Sequence, residues 1–151
     1  MCPLKLGASM LALALTSACE RWEVLERAYA SREEVVRDGA IDRGWIPAWI
    51  PESAREIREI HNIDTNTSQL AFTFAAFDTA RVSPSCTPAL PAKIALPRTS
   101  MADWWPKELR GGSSQLDRFS FFECREEREP HGYLAVDANV SKAYFWREWA
   151  S

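Results

Sequence analysis

The 151-residue sequence predicts an α+β domain, an antiparallel sheet of about four strands with short helices packed on one face. Three observations carry that expectation. Serine–glutamate pairs at capping-box spacing, Ser31 with Glu34 and Ser53 with Glu56, mark two helix starts. At Leu70, Phe72 and Phe74 the pattern switches to period two, with Ala71, Thr73 and Ala75 between them. Turn chemistry at Pro130-His131-Gly132 and at Asp137-Ala138-Asn139 divides the end of the chain into strand-length pieces.

In order along the chain, residues 20–30 read two ways. Trp22, Leu25 and Tyr29 share a helical face, and a short strand ending near Tyr29 fits equally. Ser31 then opens a helix over 32–38, which Gly39 closes from the left-handed region that glycine tolerates. Pro47 and Pro51 stiffen the connection WIPAWIP, because each fixes φ and removes a donor. Ser53 starts a second expected helix, with Ala54, Ile57, Ile60 and His61 on one side and Asn62, Asp64 and Asn66 in the turn after it. A strand follows from Gln69. The prolines at 84, 88, 91 and 97 make 78–100 an irregular segment, for which Cys86 is the natural tether. Pro106 begins a short helical turn closed by Gly111 and Gly112, and strands are expected over 116–126, 133–137 and 140–147.

Composition excludes some functions. Hydrophobic residues make up 46% and charged ones 26%, a balance that builds a core and not a disordered tail. The net charge of −3, with no cluster of Lys and Arg, leaves nothing to neutralise a phosphate backbone, so nucleic acid is not a partner. Glycine loops that cradle phosphate, Gly-x-Ser-x-Gly elbows and the spacings of zinc sites are absent, and no cofactor or metal is expected.

Two groups of residues are candidate sites. His61 with Asp64 is the sole imidazole lying beside oxygen ligands, and it could act as a general base or join a metal. The same residues suit a helix end and its turn. The tryptophans are the better lead. Trp45 and Trp49 flank Pro47, and Trp104 and Trp105 precede Pro106. Adjacent tryptophans in an extended or turning segment do not both face one core, so one of Trp104 and Trp105 is expected at the surface, free to grip a protein or stack on a sugar ring.

The N-terminus addresses location. Lys5 is followed by an apolar stretch of about ten residues, half the roughly 20 that a membrane-spanning helix needs, which fits a signal peptide over 1–18. Thr16-Ser17-Ala18-Cys19 resembles the lipobox of bacterial lipoproteins, although leucine is commonest where Thr16 stands. The resemblance implies lipid on the Cys19 sulfur and a mature domain over 19–151, held to a membrane and facing the periplasm. Glu20, which is not the aspartate associated with inner-membrane retention, leans towards the outer membrane. Ordinary cleavage after Ala18, giving a soluble secreted protein, is the alternative. With Cys2 in the leader and Cys19 lipidated, Cys86 and Cys124 remain as an even pair. A bridge between them would stabilise the fold by roughly 4 kcal/mol on the chain-entropy model, and two buried thiols are the alternative.

Residues 44–66, with Trp45-Ile46-Pro47, Pro51, Ser53-Ala54 and His61 through Asn66, are similar to a segment of small bacterial lipoproteins of no assigned activity. That likeness implies an envelope protein and transfers no catalytic residue. The expected function is a lipid-anchored binding module for an envelope protein or glycan. The alternatives are a small periplasmic hydrolase using His61 with Asp64, or an inhibitor or immunity-type protein.

Overall fold

The computed structural model describes residues 23–75, 82, 84–98, 100–111, 115–125 and 131–147. Seven strands form one antiparallel sheet: β1 (Val24–Ser31), β2 (Arg55–Asn62), β3 (Thr67–Thr73), β4 (Cys86–Ala89), β5 (Ser120–Cys124), β6 (Gly132–Asp137) and β7 (Lys142–Arg147). Their order across the sheet is β1-β2-β3-β7-β6-β5-β4. Two meanders, β1 to β3 and β4 to β7, meet where β3 pairs with β7.

This corrects the expected α+β arrangement of about four strands. The one α-helix among the described residues is α1 (Arg32–Asp38). Ser31 Oγ accepts from the Glu34 amide at its start, and Gly39 closes it at φ 74°. The second expected helix is β2. Its Ser53–Glu56 spacing mimics a capping box, but Glu56 sits at a β-bulge with φ 49°, where the register against β3 slips between Arg55 and Arg58. β4 escaped notice because it contains Pro88, which only an edge strand tolerates.

Each face of the sheet carries a packed core. On the first, α1 and the Trp/Pro connection bring Val35, Ile46, Trp49 and Ile50 onto Ile57, Leu70, Phe72, Leu134 and Phe145. Trp49 meets Phe145 edge-on at 5.2 Å. Gly132 must lack a side chain here, because a Cβ would lie 2.5 Å from the Phe145 ring. On the second face, residues 100–111 carry Trp105 and Leu109 onto Phe121, Ala135, Tyr144 and Trp146. Trp105 contacts Tyr144 and Trp146 edge-on at 5.7 and 5.9 Å, and Trp146 donates from Nε1 to the Ala95 carbonyl at 2.8 Å. That bond ties the proline-rich segment to the sheet.

Cys86 and Cys124 are bridged between the register partners of β4 and β5. Both open edges of the sheet are blunted. β4 is four residues long and carries proline, while on β1 the Glu34 carboxylate takes the Ala30 amide and Arg27 donates to the Glu26 carbonyl.

Candidate functional site

β2 presents a different set of side chains on each face of the sheet, and both sets matter. Ile57, Glu59 and His61 point to the first face. Burial is nearly complete for the two polar ones: Glu59 is 0% exposed and His61 5%. The His61 Nδ1 lies 2.7 Å from Glu59 Oε1. Trp45 covers the imidazole with its ring centroid 4.3 Å away, and the Arg43 guanidinium lies over Trp45 at 4.1 Å. Arg43 also bonds Asp38, which accepts from the Tyr29 hydroxyl at 2.9 Å.

The register sets the electrostatics. Arg27 faces Glu59 across β1 and β2, while Ser68 stands between His61 and Arg147. Loss of water pushes the Glu59 carboxyl up to about 8, against the opposing pull of Arg27, Arg147 and Arg43. Burial holds His61 below its ordinary value, and Arg27 and Arg43 act in the same direction. Both shifts favour the uncharged forms of the carboxyl and the imidazole. Among the described residues neither Glu59 Oε2 nor His61 Nε2 has a hydrogen-bond partner. A general base must reach the proton it removes, and Trp45 stands over this one.

Asp64, the expected partner of His61, lies elsewhere. It occupies the exposed β2–β3 turn, where its amide donates to Asn62 Oδ1 at 2.9 Å. Sequence reasoning missed Glu59 because a helix over this stretch would put residues 59 and 61 on different sides. In a strand they are neighbours on one face. Among the described residues no group of three or more His, Cys, Asp or Glu is placed to hold a metal.

The second face of β2 carries Arg58, and an open groove of about 510 Å³ runs beside it. Ala28 and Ala71, the register partners of Arg58, contribute to the floor, and Trp104, Lys142 and Glu56 line it. Trp104 Nε1 donates to Glu26 Oε1 at 2.7 Å, which fixes the indole beside the groove. Of the four candidate tryptophans, Trp49 and Trp105 are buried in the two cores, whereas Trp45 and Trp104 are half-buried. Cys19 lies outside the described residues.

A single antiparallel sheet clad on both faces, with a disulfide near one edge, defines the architecture. Residues 23–73, about a third of the chain, match the family described as the YbbD head domain. That segment is similar to the domain and comprises β1, α1, the Trp/Pro connection, β2 and β3. The chain matches no curated protein and no solved structure. The family match points to an envelope-associated bacterial protein, and the Cys86–Cys124 bridge, a bond that persists in oxidising compartments, agrees with a location outside the cytoplasm. Among the described residues no helix is long and apolar enough to cross a membrane.

Proposed function

We propose that this chain is an envelope protein, anchored through lipid on Cys19, that binds its target without turning it over. The observation that carries the reading is the contrast between the two candidate sites. The acid–base pair is sealed beneath Trp45, whereas the open groove offers a half-buried indole and two cations. A hydrolase built on His61 needs its imidazole at the surface, and the burial of that ring favours binding instead. The blunted edges of β1 and β4 disfavour a partner that adds a strand, so recognition belongs to a face of the sheet.

The anchor suits this arrangement. Four residues lie between Cys19 and Val24, so the two Cα atoms are at most about 18 Å apart. β1 then leads from that tether towards Ala28–Ala30, where the groove lies. Two measurements on the full chain test the proposal. Intact mass and fractionation should find wild type acylated and membrane-bound, with Cys19→Ala released from the membrane. Detergent-solubilised protein should sediment with isolated cell-envelope material, and Trp104→Ala should lose most of that association. An unacylated wild type would sink the anchor, and unchanged sedimentation of Trp104→Ala would sink the groove.

A further inference from the structure

We propose that the ligand of the groove is a carboxylated polysaccharide, a chain of acidic sugar rings lying across β1, β2, β3 and β7. The inference rests on the binding reading above and gives that reading a ligand class.

The cations come first. Arg58 and Lys142 line the groove, and neither has an ion-pair partner among the described residues. Lys142 Nζ lies over the Tyr144 ring, at 5.7 Å. Two cations against the one carboxylate of Glu56 give the groove lining a net positive charge in a chain of net charge −3, which favours an anion there. Arg58 aligns with Ala71 and through it with Tyr144, and Lys142 stands two residues from Tyr144 on the same face. Strand spacing and rise then put the two Cα atoms about 12 Å apart. One carboxylate does not bridge that distance, whereas a repeating acid offers one to each cation.

The remaining surface selects among anions. Ala28 and Ala71 leave a shallow floor against which a ring lies flat. The Trp104 indole has its N–H engaged by Glu26, so it offers its carbon surface to the C–H face of a sugar. Glu56, which also lines the groove, is an acceptor for the hydroxyls of a sugar. An acidic peptide satisfies the cations but has no saturated ring for the indole.

Binding of the full chain in detergent to polygalacturonate, with dextran and polyglutamate as controls, tests the inference. Polygalacturonate should bind, and both controls at least tenfold more weakly. Arg58→Ala with Lys142→Ala should lower the affinity at least tenfold, and Trp104→Ala should do so too while Trp104→Phe recovers most of it. Arg58 is exposed, so its removal does not threaten folding. Equal binding of polyglutamate assigns the groove to acidic peptides and overturns the proposal. Equal binding of dextran removes the role of the cations and overturns it likewise. Envelope association that depends on Trp104 without any affinity for polygalacturonate overturns this ligand class while leaving the binding reading intact.

Discussion

The two faces of β2 put similar chemistry to opposite uses. On one side Glu59 and His61 lose their water, hold each other at 2.7 Å and disappear beneath Trp45. On the other, Arg58 stays exposed above a floor of alanines, without an ionic partner among the described residues. The strand backbone is shared, and the difference lies in what covers it. The connection around Pro47 closes over the first face, whereas the segment around Trp104 stops short of closing the second. A titratable group contributes to folding where it is covered and stays open to solvent where it is not. Each side therefore answers to a different measurement.

The largest contrast is expected from His61→Ala. It removes the only hydrogen-bond partner of Glu59 among the described residues and the surface on which Trp45 rests. Together these losses should cost about 3 kcal/mol. Urea unfolding at constant pH measures it. A loss below 1 kcal/mol would mean that the pair is not integral to the core.

Acidity should separate the faces next. With ordinary values of 4.5 for the carboxyl and 6.5 for the imidazole, the unfolded chain holds no proton on this pair above pH 6.5, while the folded chain keeps one until about 8. The folded state binds more protons there, so stability falls as pH rises through that window, by about 2 kcal/mol in all. Between 4.5 and 6.5 the two shifts oppose each other, because Glu59 keeps a proton that the unfolded carboxyl has released while His61 resists one that the unfolded imidazole has taken up. On the acid side the lowered His61 value works against stability, since the unfolded imidazole takes up a proton more readily than the folded one. Glu59→Gln should abolish the alkaline decline. A wild-type profile that rises from pH 6.5 to 8 would show that Glu59 is ionised in the folded protein.

The same contrast explains what could be read from the sequence. Helix α1 was legible because its Ser31, Glu34 and Gly39 signals are local. The strand around Leu70 was legible because its large apolar residues alternate with smaller ones, and those around Leu134 and Phe145 because turn residues bound short apolar runs. β2 was not, since Glu59 and His61 occupy the buried face and Ile60 the other, which erases the period-two pattern. The residues that make the buried site are the ones that hid its strand. β1 stayed ambiguous because most of its length is exposed at an edge, and little there is apolar. Asp64 was assigned to His61 by proximity in sequence, and the helix-or-strand decision alone settled which carboxylate lies beside the imidazole. The groove had no local signal. Arg58, Trp104 and Lys142 come from distant stretches and meet only through the pairing of β2, β3 and β7.

The smallest effect is expected from Arg58→Ala, and its smallness is the point. Arg58 is exposed, makes no ion pair among the described residues and stands opposite two alanines, so truncation leaves no cavity and no orphaned charge. Unfolding free energy should move by less than about 0.5 kcal/mol, and the alkaline decline set by Glu59 should be unchanged. The link between the faces is then the strand backbone alone. Should Arg58→Ala instead destabilise the protein by 1 kcal/mol or more, or shift the pH profile, the cation would be acting through the sheet on the buried carboxyl. The division of β2 into a structural side and a recognition side would then fail.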